Sequence, residues 1–399
     1  MGFRVLGKEL FTVFILLSLV SLFADMTYEG ARSVFGSYVG LLGATAFFAS
    51  LASIGEFLGY VARLLSGTLA GHWRSSKVYW SLVFAGYALN LIACPLLALS
   101  GYWQLAIFLI FLERIGKGLR TPVRDVIIAE VTEKAGKGKA FGLHEALDQA
   151  GAVMGPLMVS VTLYVTSNSY FVTFSLLALP AAISIALLLT AYSKYPKVRS
   201  AEASVPILKS RVVLGKAFWL YTASMSLIAL GFMPWVNVSY YLRAEGFADY
   251  VIAMMYLVAM LVDGFLAFPM GMIYDRVGLA SLVVAPVLSA LVVPTLVMGD
   301  LRLVLLSSVF WGAAMGIYES TARAAIADIV PIEGRAYGYG MFGAFFGMAW
   351  MVGSMVYGYL YQHGLVTLMV LFAIATESVT IIGLLTSIKI MRTPQRSIT

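Results

Sequence analysis

The chain alternates apolar stretches about as long as a bilayer is thick with short polar turns, and it does so twelve times. The stretches run at 9–38, 42–71, 76–98, 102–122, 138–165, 169–192, 216–242, 248–273, 279–298, 301–327, 334–361 and 365–390. A spanning helix needs about 20 apolar residues, so the pattern predicts an all-α membrane protein, a polytopic bundle with short loops. Composition agrees. Only 12% of residues are charged and mean hydropathy is +0.90, whereas a soluble domain carries about 25% charge. The first apolar run continues into Asp25 without a small-residue cleavage site, so no cleavable signal peptide is expected.

Lysine and arginine set the orientation. They gather at Arg4 and Lys8, Arg74 and Lys77, Arg120 to Lys139 (with Arg124, Lys134 and Lys137), Lys194 to Lys216 (with Lys197, Arg199, Lys209 and Arg211), and Lys389, Arg392 and Arg396. The other side has Arg243 and Arg302. Both termini are therefore expected in the cytoplasm, with the protein in the cell (plasma) membrane. The net charge of +7 then belongs to cytoplasmic loops and not to a nucleic-acid surface.

The longest polar connection, 193–215, divides the chain into 1–192 and 216–399, six stretches each. The halves echo one another: IIAEV at 127–131 and AFG at 140–142 correspond to AIADIV at 325–330 and AYG at 336–338. Such repeats predict two six-helix bundles related by a pseudo-twofold, with a substrate site between them at mid-membrane.

Ionisable groups inside the apolar runs carry the functional argument. Asp25, Glu29, Glu56, Glu113, Glu145 and Asp148 would together cost on the order of 15–20 kcal/mol facing lipid, so they are expected to face a protein interior or a wet path. Asp25, Glu29 and Arg32 share one face of the first helix, and Glu56 and Arg63 one face of the second. Tyr28 and Tyr60 are candidates to hydrogen-bond them, although spacing alone does not place either hydroxyl. Glu113 and Arg114 are adjacent and are expected to point to different neighbours. Lys117, Arg120 and Arg124 read as a solvated or headgroup-facing set near the cytoplasmic end. His144, Glu145 and Asp148 read either as a proton relay or as a cytoplasmic gate. Gly151 and Gly155 permit a close helix approach, and Pro156 a kink.

The later half carries fewer charges at depth: Asp263, Glu319, Arg323 and Glu377. Glu319 and Arg323 are spaced for a gate salt bridge, Glu377 for packing, and Asp263 for contact with solute. Fifteen of the nineteen methionines fall here, together with Trp235, Tyr318, Phe345 and Trp350. Soft, aromatic surface of this kind suits amphipathic or cationic solutes, although such residues at helical spacing are more often ordinary core packing.

Three motifs tie these features to a known family. Gly271-x-x-x-Asp275-Arg276-x-Gly278 matches the loop signature of the major facilitator superfamily, and the chain resembles that superfamily over its full length. The corresponding Gly67-to-Lys77 stretch has Gly71 where an acid is expected. Arg114-x-x-x-Gly118 and Gly151-x-x-x-Gly155-Pro156 resemble motifs of drug/proton antiporters, the second without its trailing glycine pair.

The resemblance implies a secondary active transporter working by alternating access, with proton-coupled export of amphipathic or cationic small molecules, as in multidrug efflux. The expected proton-coupling residues are Asp25, Glu29, Glu56, Glu113, Arg114 and Asp148. Arg32, Tyr28, Trp235, Asp263, Tyr318, Phe345 and Trp350 are expected at the substrate. Arg120, His144, Glu145, Asp275, Arg276, Glu319 and Arg323 are expected to gate.

The alternatives are a uniporter or symporter for a metabolite or organic anion held by Arg32, Arg63 or Arg114, and a membrane enzyme or sensor. No His-Glu-x-x-His, nucleotide-binding glycine loop or soluble catalytic domain supports the latter. One cysteine, Cys94, excludes an intrachain disulfide, and three scattered histidines argue against a metal site. No cofactor is expected. The expected partners are solute, protons and lipid, with the chain as a monomer.

Overall fold

A computed structural model describes residues 7–133, 137–202, 214–331 and 334–392. Lys134, Lys209, Arg211, Arg4 and Arg396 lie outside the described residues, as do the side chains of Lys137, Arg323 and Arg392. No strand occurs among the described residues. Twelve helical segments follow in order. They are α1 (Lys8–Ser33, extended by Phe35–Leu41), α2 (Ala46–Trp73), α3 (Ser76–Leu96), α4 (Trp103–Val131), α5 (Lys137–Val165) and α6 (Tyr170–Lys194). Then come α7 (Lys216–Gly231 and Trp235–Ala244), α8 (Asp249–Val277), α9 (Val284–Val297), α10 (Leu301–Ile329), α11 (Arg335–Gln362) and α12 (Val366–Arg392).

Among the described residues, ten segments are long and apolar enough to cross a membrane. One of them, Asp249–Val297, contains both α8 and α9, and α4 is absent from the ten. Its charges disqualify it by composition, yet it is a continuous helix of 29 residues. The expected end of this helix at residue 122 is therefore corrected: it continues to Val131 with Pro122 inside. A proline removes one helix hydrogen bond and bends the helix without ending it where the neighbours pack well. Arg120 and Arg124, expected at a turn, sit within the helix.

The helices form two compact units. The first gathers α1 to α6 and takes Ser239–Leu257; the second takes the rest of α7 and α8 with α9 to α12. Within the first, Val13, Phe14, Leu17, Trp80, Tyr87 and Ile127 are among the buried side chains of the core. Small residues set the spacing. A Cβ at Gly151 or Gly155 of α5 would collide with the Leu22 or Met26 carbonyl of α1. Gly118 of α4 lies equally close to Gly59 of α2, and Gly116 to Gly86 of α3. The second unit repeats the device, with Gly312 of α10 under the Ala259 carbonyl of α8 and Gly353 of α11 under that of Leu230.

The two stretches aligned on the loop signature also end alike. Arg74 closes α2 with φ +35°, and Gly278 follows α8 with φ +61°. The left-handed turn is thus shared, but only the second copy uses the residue that adopts it without cost. At the end of α4, Glu130 accepts hydrogen bonds from the Tyr195 hydroxyl and the Arg199 N–H. Burial and this carboxylate push the Tyr195 hydroxyl above its usual range.

Candidate functional site

The first unit is threaded by a ladder of polar groups between α1 and α4. Arg32, Glu29, Asp25, Ser21 and Ser18 follow one another along α1 at steps of three or four residues. Arg114, Lys117, Arg120 and Arg124 do the same along α4. Such spacing holds side chains on one helix face, and the helices run antiparallel, so the rungs meet in reverse order.

At the deep end the pairing is tight. Arg32 donates to Glu29 at 3.1 Å and, at close range, to Glu56 of α2. Arg114 lies 3.3 Å from Glu56 and forms an ion pair with Glu113, its Nε 2.8 Å from the carboxylate. The expectation that Glu113 and Arg114 turn to different partners is corrected: each is the other's partner, because the long guanidinium folds back over its neighbour. Asn90 of α3 donates to the same carboxylate at 2.7 Å, and the Tyr256 hydroxyl to Glu29. Lys117 stands 4.3 Å above the Tyr28 ring and 3.9 Å from Glu29.

Toward the end where α1 begins, the contacts lengthen. Arg120 lies 4.0 Å from Asp25 and 4.3 Å over the Tyr87 ring. Arg124 donates to Ser21 at 2.9 Å and to Asp125 at 2.8 Å, with Asp148 of α5 at 3.9 Å. His144 places Nε2 at 3.6 Å from Asp148 and Nδ1 at 3.2 Å from Ser18.

Exposure separates the members. The side chains of Glu113 and Arg120 are 1% exposed, whereas those of Arg32, Glu56 and Lys117 are 26%, 27% and 30% exposed. The last three form the open face of the cluster. The reading of Lys117, Arg120 and Arg124 as a solvated or headgroup set is thereby corrected for Arg120 and Arg124. Helix register turns these two inward, where carboxylates and aromatic faces offset the loss of water, while Lys117 stays on the open face. Glu145 alone among the six acids is exposed. It stands one residue, about 100° of helix rotation, from buried His144.

The second unit carries a different surface. α7 breaks between Gly231 and Trp235, where Pro234 has no N–H to give. Side chains satisfy the break: Trp311 donates to the Met233 carbonyl at 3.0 Å and Tyr357 to that of Gly231. Beside it lies a small, mainly aromatic and aliphatic pocket formed by Ile228, Ala229, Phe232, Ala314, Met315, Tyr318, Phe346 and Trp350. Tyr318 stacks on Phe346 at 4.6 Å.

Of the residues expected at substrate, Tyr318 and Trp350 line this pocket. Trp235 is buried edge-on against Trp311. Phe345 is 44% exposed and packs on Trp219, leaving the neighbouring Phe346 in the pocket. Asp263 is buried beside Gly316 of α10. Glu377 is fully buried and accepts a hydrogen bond from Ser289. Among the expected gating residues, Asp275, Arg276 and Glu319 are exposed, and the side chain of Arg323 lies outside the described ones. Near Asp275 the bond between α8 and α10 is Tyr274 to Asp328 at 2.7 Å, which sequence reasoning missed. It also missed Tyr87 and Tyr256, which look like ordinary aromatic residues of apolar helices. Asn90, polar within an apolar run, was a signal that could have been read.

A family model described as Major Facilitator Superfamily matches residues 14–279 and 232–397. An uncharacterised protein of Mycobacterium tuberculosis (strain ATCC 25618 / H37Rv) is 36% identical over 358 residues, covering 88% of this chain and 87% of its own. An uncharacterised MFS-type transporter of Methanocaldococcus jannaschii is 25% identical over 374 residues, 90% of each chain. Among solved structures, a POT family transporter in complex with a thioalcohol-conjugated peptide aligns with a TM-score of 0.75 at 15% identity, covering 95% of this chain and 96% of that one. The nucleoside transporter NupG aligns at 0.71 and 14%, covering 96% and 99%. At such identities these structures speak for the fold alone.

Proposed function

The chain belongs to the Major Facilitator Superfamily and is an integral membrane transporter rather than an enzyme, and on that premise we propose that it couples proton entry to the export of amphipathic small molecules. The observation that carries this reading is the division of labour between the units. The first buries a titratable ladder from Glu113 to His144, and the second offers an apolar, aromatic pocket without a charge in its lining. A solute that lays an apolar face against these aromatic side chains gains by burial and by contact with their rings. Protons bind and leave the ladder, and the solute site is presented to one side of the membrane and then the other. Clusters of lysine and arginine support a plasma-membrane protein with cytoplasmic termini.

The test is made in proteoliposomes with a lipophilic cation such as tetraphenylphosphonium as probe. A proton gradient directed opposite to solute movement should accelerate transport severalfold, and Trp350→Ala should reduce it. No response to the gradient would sink the coupling. One observation favours a second reading, an anionic or zwitterionic solute: Arg32 and Lys117, on the open face of the ladder, are its most exposed cations. Under that reading Lys117→Gln abolishes uptake of an organic anion and spares that of tetraphenylphosphonium.

A further inference from the structure

The ladder is two sites, and they differ in charge balance. In the deep set three carboxylates, Glu29, Glu56 and Glu113, face three cations, Arg32, Arg114 and Lys117. In the outer set Asp25, Asp125 and Asp148 share the two guanidiniums of Arg120 and Arg124. Asp125 engages Arg124 through both Nε and Nη2, at 3.0 and 2.8 Å, so Asp25 and Asp148 are left one positive charge short.

Asp25 and Asp148 have no ion-pair contact as short as those of Arg32 and Arg114 in the deep set, where only Lys117 to Glu29, at 3.9 Å, is comparably long. The distances of 4.0 Å from Arg120 to Asp25, 3.9 Å from Arg124 to Asp148 and 3.6 Å from His144 to Asp148 exceed a direct hydrogen bond. They suit a bridging water. Unmet polar atoms converge on the same place: Arg120 Nε and Nη1, His144 Nε2 and Asp148 Oδ1 are buried without a hydrogen-bond partner. Buried groups of this kind destabilise a fold when left unsatisfied, and a polar space offering several partners is where internal water resides.

We propose that Asp25, Asp148 and His144 form a water-bridged relay that holds one exchangeable proton. The proton leaves His144 Nε2 for Asp148 Oδ2, the nearer carboxylate oxygen, and crosses by water from Asp148 to Asp25, with Arg120 as the positioning residue between the carboxylates. Other charged or titratable groups face Asp25 as well: Tyr28 and Glu29 from its own helix and Lys117 from α4. Glu145 stands beside Asp148 on α5. The deep set, balanced in charge, keeps its charges throughout and fixes the helices. The relay rests on the proton-coupled reading for its purpose, though not for its existence.

Infrared difference spectroscopy of the full chain in nanodiscs, recorded across pH, tests it. The wild type should show a protonated-carboxyl C=O band that titrates and shifts in D2O. Asp25→Asn and Asp148→Asn should each weaken the band, and move the midpoint of what remains by about one pH unit or more, as coupled carboxyls do. Glu113→Gln should leave it in place. His144→Gln should keep the band and slow its exchange. If Asp148→Asn does not fold, Asp148→Glu should retain a band of altered frequency. A band unchanged in both asparagine variants, or lost in Glu113→Gln, overturns the relay. Should the band behave as expected while no pH gradient drives transport in proteoliposomes, the coupled function fails and the relay stands. Gradient-driven transport undiminished in both asparagine variants overturns the relay and leaves the coupled function.

Discussion

Arg114 is the residue on which the deep set turns, because it touches both Glu56 and Glu113. Arg114→Ala leaves the buried Glu113 without its cation, while Glu56 keeps Arg32, and should cost about 3–5 kcal/mol. Thermal unfolding in detergent reads this as a large fall in Tm. Glu113→Gln combined with Arg114→Ala should cost less than the sum of the two, since one stranded charge is then gone. Sequence made part of this legible. Asp25, Glu29, Glu56 and Glu113 stand in apolar runs, and a charge there must turn inward. Their partners were hidden because the pairing crosses between helices: nothing in the spacing of α4 says that Arg120 meets Asp25 and Tyr87. Glu145 shows the opposite failure, an acid near a helix start whose outward face depends on how α5 is rotated.

At the level of the helix, Gly151 and Gly155 were readable as a contact face, and the structure supplies α1 as the partner. Gly155→Leu should force α1 and α5 apart, at a cost of about 1–3 kcal/mol for overpacking. Gly142→Leu, on the same helix with open space around it, should be close to neutral. The pair compared by thermal shift isolates the contact from helix propensity. The turns after α2 and α8 give a second comparison. Gly278→Ala should cost about 1–2 kcal/mol for its left-handed turn, while Arg74→Gly, relieving the same turn, should not destabilise by a similar amount. Helix ends were the least readable feature, and α4 shows why: proline and charge signal a stop only when nothing nearby satisfies them.

For the whole chain, the arrangement of lysine and arginine makes a topological prediction. With Cys94 replaced by serine, a single cysteine at Lys194 should resist a membrane-impermeant maleimide added to intact cells, and one at Asp300 should react. Reversed labelling would invert the orientation. The twelvefold count and the repeated halves were legible because bilayer thickness fixes segment length. The break in α7 and its pocket were not, because Pro234 marks a weak point without naming the Trp311 and Tyr357 groups that close it. The charge on α4 bears finally on biosynthesis. Six ionisable groups between Glu113 and Asp125 would oppose entry of this segment into lipid by itself. The nascent chain can lodge it only against α1 to α3, already waiting with Glu29, Glu56 and Asn90. A ribosome-bound intermediate lacking those acceptors should leave α4 at the aqueous mouth of the insertion machinery, open to added protease.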